Sequence, residues 1–135
     1  MTPGRLTRLC TQIDGRKKPV IKISETEEQR LADILSAAKT GDWDRFACLT
    51  DCPFSNTEAM KEQFEDSSRL IRDMNNRLHT NTETKNVKDG SRIIFTRIAM
   101  DMPAENPILL TLHSTSQRSD SVISIWTFFQ EVGFD

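Results

Sequence analysis

Apolar residues recur at steps of three and four through the first part of this chain and at steps of two through its last third, with one changeover at "HTNTETKNVKDG" (79–90). The first spacing belongs to one face of a helix, the second to one face of a strand. A chain that places its helices first and its strands last, with hairpin-length links between the strands, reads as α+β: three N-terminal helices packed on a C-terminal antiparallel sheet.

The helical part carries its own punctuation. Ser24-x-x-Glu27 is a capping box, in which hydroxyl and carboxylate each satisfy a free backbone N–H. Leu31, Ile34, Leu35 and Ala38 then form one apolar stripe. In "AAKTGDWDRFACLT" (37–50) Gly41 is a residue that accepts the left-handed conformation of a helix C-cap, and Asp42 can cap the helix that follows. Trp43, Phe46, Ala47 and Leu49 would face the core, so the break turns two short helices onto each other. Pro53 stops the second helix and Ser55-x-x-Glu58 reads as another capping box. The third helix is expected over about residues 57–79, with Met60, Phe64, Ser67, Ile71, Met74 and Leu78 on one side and His79 as a cation at its C-terminus. Its charged side (Lys61, Glu62, Glu65, Asp66, Arg69, Arg72, Asp73) reads as a solvated face.

Three strands follow at 91–102, 107–115 and 121–130, joined by "PAEN" and "SQRSD" as a meander, and "TETKNVKD" offers a fourth. Ile94, Thr96, Ile98, Met100 and Met102 share one face of the first strand; Ile108, Leu110 and Leu112 share one face of the second. In the third, Ile123, Ile125 and Phe129 are set against Val122, Trp126 and Phe128. Neither side of this sheet is plainly polar. The helices can cover one side, and the other calls for a partner, which predicts a homodimer through the sheet.

Size and composition bound the rest. With 135 residues, 36% hydrophobic and 28% charged, the chain suits one domain at 25–135, preceded by a basic arm or short hairpin at 1–24. Net charge is −2 but uneven: +5 over 1–24, −7 over 25–66 and 0 over 67–135. The arm has no aromatic residue to stack on bases, which argues against a dedicated nucleic-acid binder. Cys10, Cys48 and Cys52 are odd in number and far in sequence from both histidines, so they read as reduced thiols, with no metal site and no cofactor. No apolar run approaches a membrane span, and the N-terminus lacks a leader's apolar core, so the expected location is cytoplasmic.

The segments "LADILSAAKTGDWDRFACLT" and "SVISIWTFFQ" resemble the opening helices and last strand of small domains of the NTF2-like (cystatin-like α+β) superfamily. Where that family carries a short hairpin between its second and third helices, this chain has only "DCPFSN", and further strands would have to come from residues 5–24. The resemblance implies a sheet curled around the long helix, a conical pocket and frequent dimers. Its members include isomerases, cyclases, dehydratases, ligand carriers and protein-binding modules, so the fold alone chooses no function.

Among candidate catalytic groups, His113 near a strand end suits a general base, Asp101 could orient it, and Arg97 could hold a carboxylate. The plainer reading is an exposed strand histidine with an ion pair at the sheet rim. Trp43, Phe95 and Trp126 are the candidate pocket-lining aromatics. No phosphate-binding loop, dinucleotide fingerprint, nucleophile elbow or zinc-protease motif is present. The reading is a non-catalytic binding or interaction domain for a protein or a small apolar acid. The alternative is a small NTF2-like enzyme doing acid–base chemistry on a small organic acid.

Overall fold

The computed structural model describes residues 22–100 and 106–131. The order of elements is α1 (Glu25–Thr40), α2 (Trp43–Ala47), α3 (Thr57–Met74), a 3-10 turn (Asn75–Arg77), then β1 (Leu78–Asn86), β2 (Arg92–Met100), β3 (Ile108–Ser114) and β4 (Ile123–Gln130). The strands form one open antiparallel sheet in the order β1-β2-β3-β4. The α+β class and the meander are therefore as expected. Residues 1–21 of the N-terminal arm or hairpin, Cys10 among them, lie outside the described residues, as do Asp101 and Met102.

Local chemistry sets most helix ends. The Ser24 hydroxyl accepts from Glu27 N at 3.1 Å while the Glu27 carboxylate accepts from Ser24 N at 2.9 Å. Gly41 ends α1 with φ 69° and ψ 28°, and the Asp42 carboxylate accepts from Arg45 N at 3.1 Å to start α2. Two boundaries differ from the sequence reading. The capping box expected at Ser55 and Glu58 is replaced by Asn56, whose side-chain oxygen accepts from Ala59 N at 3.0 Å, one residue further on. α3 stops at Met74, where Asn75 turns the chain at φ 58° and ψ −129°, outside the helical region. Leu78 and His79 consequently belong to β1, which starts upstream of "TETKNVKD" and ends before the Val87–Gly90 turn.

Packing concentrates on one side of the sheet. α3 lies against both α1 and β4. Two serines in its buried stripe bind across to these neighbours: Ser68 Oγ donates to Ala38 O at 2.6 Å and Ser67 Oγ to Phe128 O at 2.9 Å. Trp43, Phe46, Phe54, Phe64 and Phe128 form one aromatic cluster, tightest at Phe46–Phe64 with ring centroids 4.5 Å apart. Ile94, Thr96 and Ile98 of β2 and Ile108, Leu110 and Leu112 of β3 are buried beneath the helices, as their alternation predicts.

β4 departs from simple alternation. Thr111 pairs with Thr127 and Leu112 with Ile125, so Trp126 is an extra residue without a partner on β3. Such a bulge reverses the strand's phase for every residue beyond it. Ile123 and Ile125 enter the core, but then so does Phe128, at 0% exposure, while Phe129 is 38% exposed. The expected grouping of Phe129 with Ile123 and Ile125 is thus corrected: Phe128 takes that place.

Candidate functional site

The bulge also borders a concave surface cleft of mixed character. Loop 50–56 and α3 run along the outer edge of β4 and satisfy its backbone with side chains. Asp51 Oδ2 accepts from Ile123 N at 2.7 Å, Thr50 Oγ1 from Ile125 N at 3.0 Å, and Gln63 Oε1 from Phe128 N at 2.9 Å. Between the Thr50 and Gln63 contacts lies the bulged Trp126. A cleft of about 440 Å³ opens there, walled by Phe54, Met60, Ile125 and Trp126, with Gln63, His113 and Ser124 among its polar residues, beside Ser55 and Asn56. Its lining holds no carboxylate, lysine or arginine; Cys52 and His113 are its titratable groups. That composition suits the burial of an apolar group with a few hydrogen bonds rather than the neutralisation of a charge.

His113 lies flat against Trp126, with ring centroids 5.0 Å apart and planes within 5°. On β2 it faces Ile93, and on β4 Ser124. Arg97 shares this outer face but is four strand positions from Ile93, about 13 Å away at 3.3 Å per residue. It pairs instead with Glu83 at 3.7 Å and Glu131 at 3.4 Å. The fold therefore does not bring Arg97 to His113, and Asp101 lies outside the described residues. Of the three aromatics singled out in the sequence, Trp126 lines the cleft. Trp43 packs into the aromatic cluster, and Phe95 sits on the outer face under the Lys85 ammonium, 5.7 Å from its ring centre.

Among the described residues, no helix covers the outer face. Ile93, Phe95, Ala99 and Leu109 are half-buried there, while Trp126 is 50% exposed and Phe129 38%. Val122, just before β4, is 41% exposed. At the β1–β2 turn the Ser91 hydroxyl and amide donate to the Asp89 carboxylate at 2.6 and 3.0 Å. These bonds, with a smaller attraction from His113, hold that carboxyl below the ordinary aspartate range.

Sequence reading missed two arrangements. One is the cleft, whose walls come from 52–63 and from 113–126; the sole hint was the adjacent Phe128-Phe129 pair, which leaves the phase of β4 ambiguous. The other is an ion pair in the core: Arg92 and Glu27, 3% and 0% exposed, meet at 2.8 Å. Arg92 also donates to Lys22 O at 2.6 Å and to Gln117 Oε1 at 3.0 Å. Its burial, its bond to Lys22 O and its pairing with Glu27 assign it to holding α1 on the sheet. Among the described residues no group of three or more His, Cys, Asp or Glu could hold a metal ion, and no helix is long and apolar enough to cross a membrane. Comparison with family models, with curated proteins and with solved structures gives no match for this chain.

Proposed function

We propose that this chain is a non-catalytic interaction domain of NTF2-like kind, which docks a protein on the outer side of its sheet and forms a homodimer through that sheet. The observation that carries this reading is an apolar outer face without a cover among the described residues, with Trp126 and Phe129 exposed on it while the three described helices pack on the other side. Apolar surface of this kind is stabilised when a partner removes it from water. The NTF2-like reading is supported by the order of elements, helices before meander. A cytoplasmic setting is supported by Cys48 and Cys52, both exposed and unbridged. Sedimentation equilibrium at micromolar concentration tests the dimer: a monomer there removes it. If the dimer forms through this face or beside it, Trp126→Ser together with Phe129→Ser should also lower binding of any protein captured by the parent.

A second reading has its own observation, the cleft at the bulge. A small apolar acid could bury its apolar part against Trp126 and Met60 and hydrogen-bond to His113, Gln63 or Ser124. A thermal-shift screen of small carboxylic acids tests it, since a ligand at about 100 times its Kd stabilises by about 2.7 kcal/mol. Flat melting curves, or a shift retained in His113→Ala and Trp126→Ser, would remove it. The enzymatic alternative, acid–base chemistry on a small organic acid, would rest on His113 alone, because Arg97 is engaged by two glutamates.

A further inference from the structure

The two edges of the sheet are finished differently. Along β4, Asp51, Thr50, Gln63 and Ser67 bind the outward backbone groups of Ile123, Ile125 and Phe128, and Arg30 adds a bond to Ile123 O. No further strand can pair where side chains already occupy the ladder. Along β1, Thr80–Asn86 have none of this among the described residues. Its nine residues pair with β2 without a bulge, it contains no proline, and seven of its nine residues are exposed. Among the described residues, none hydrogen-bonds to the outward backbone of Thr80–Asn86. An edge this long and regular is a template for another strand unless it is blocked.

We infer that β1 is the edge by which two copies of this chain join, antiparallel and centred on Thr84, to make one eight-stranded sheet. The inference rests on the homodimer reading above and says where that dimer forms. Charge decides the occupant and the register. Glu83 and Lys85 project from the outer face, opposite Phe95 and Ile93 of β2. Pairing about Thr84 sets Glu83 against the partner's Lys85, and Lys85 against the partner's Glu83. Moving the centre to residue 83 or 85 sets two glutamates or two lysines face to face, which destabilises a cross-strand pair. The Val87 N–H bonds to Ser91 O at 2.8 Å, so the hairpin ladder extends to Val87. The pairing can therefore run over 81–87, and it lays exposed Val87 beside the partner's Asn81. Both outer faces then lie on the same side and form one wide apolar surface, open to a protein partner.

The test is sedimentation equilibrium on the whole chain, comparing the parent with Glu83→Lys, Lys85→Glu, the double reversal and Phe129→Ser. Each single reversal creates two like-charge contacts by symmetry and should weaken self-association about tenfold. The double reversal should restore it to within a factor of about three. Circular dichroism confirms folding, since both positions are exposed on an edge strand. A dimer untouched by the reversals but lost in Phe129→Ser joins through its outer face; it overturns the edge inference and leaves the homodimer reading standing. Singles that dissociate without rescue by the double reversal overturn the Thr84 register. A monomer at every concentration overturns the inference and the homodimer reading together. Amide exchange in β1 would then show whether that edge is filled from within the chain or left for a foreign strand.

Discussion

Replacing Arg92 by methionine should destabilise the domain by about 3–5 kcal/mol, because it leaves the Glu27 carboxylate buried without its countercharge. The geometry sets the scale. At the 2.8 Å separation of Arg92 Nη2 and Glu27 Oε1, an effective dielectric of about 20 gives an attraction of about 6 kcal/mol. Taking each ion out of water costs several kcal/mol, so the intact pair contributes little net stability while either half alone is costly. The site is also imperfectly satisfied: Glu27 Oε2 and Arg92 Nε are buried with no hydrogen-bond partner among the described residues. Glu27→Leu should cost a similar amount, and additionally removes the acceptor of Ser24 N, a cap contact worth about 0.5–2 kcal/mol. The double variant Glu27→Leu/Arg92→Met should then cost much less than the two singles together, about 2 kcal/mol or below, since no unpaired charge remains. Urea and thermal unfolding followed by tryptophan fluorescence measure all four proteins, with the singles expected to melt roughly 10–20 °C below the parent. Singles that each cost under about 1 kcal/mol, or costs that add in the double to within about 0.5 kcal/mol, would refute the reasoning.

Phe128→Ala should cost about 3–5 kcal/mol and Phe129→Ala under about 1 kcal/mol in the same assay, because the bulge at Trp126 buries the first ring and leaves the second at the surface. Equal costs would place the phase of β4 elsewhere. Gly41→Ala should lose about 1 kcal/mol, since φ is 69° there and the added Cβ would still find only ordinary contact distances, 3.6 Å to Arg72; no change in the urea midpoint would contradict that backbone. The depressed Asp89 carboxyl stabilises the fold above its unfolded pKa, and this contribution is lost as pH falls through the lower folded value. Ser91→Ala should therefore raise the Asp89 pKa toward the ordinary range, read by carboxyl NMR titration, and flatten the acid limb of stability; an unmoved titration would mean the Ser91 hydroxyl is not its main cause.

What could be read from sequence follows from how far each interaction reaches. The capping box at Ser24, the Gly41 break, the Asp42 cap and the buried α3 stripe involve residues within one or two helical turns, so residue identity and spacing specify them. The alternation in β2 and β3 is similarly local, and it placed Ile94, Ile98, Leu110 and Leu112 in the core. The end of α3 was misread because "MNNRL" continues the apolar spacing while Asn75 turns the backbone. Other features belong only to the assembled fold. Glu27 and Arg92 are 65 residues apart, and no local pattern marks either as the other's partner. The bulge at Trp126 arises where β4 must pair with β3 on one side and accept Thr50 and Gln63 on the other, and it decided which phenylalanine is buried and where the cleft opens. Arg97 and His113 share a face by alternation, but the strand register set them apart. Local hydrogen bonds and side-chain period thus specified the elements, whereas register and the closing of one sheet edge, which depend on contacts across the chain, specified the surfaces left exposed among the described residues.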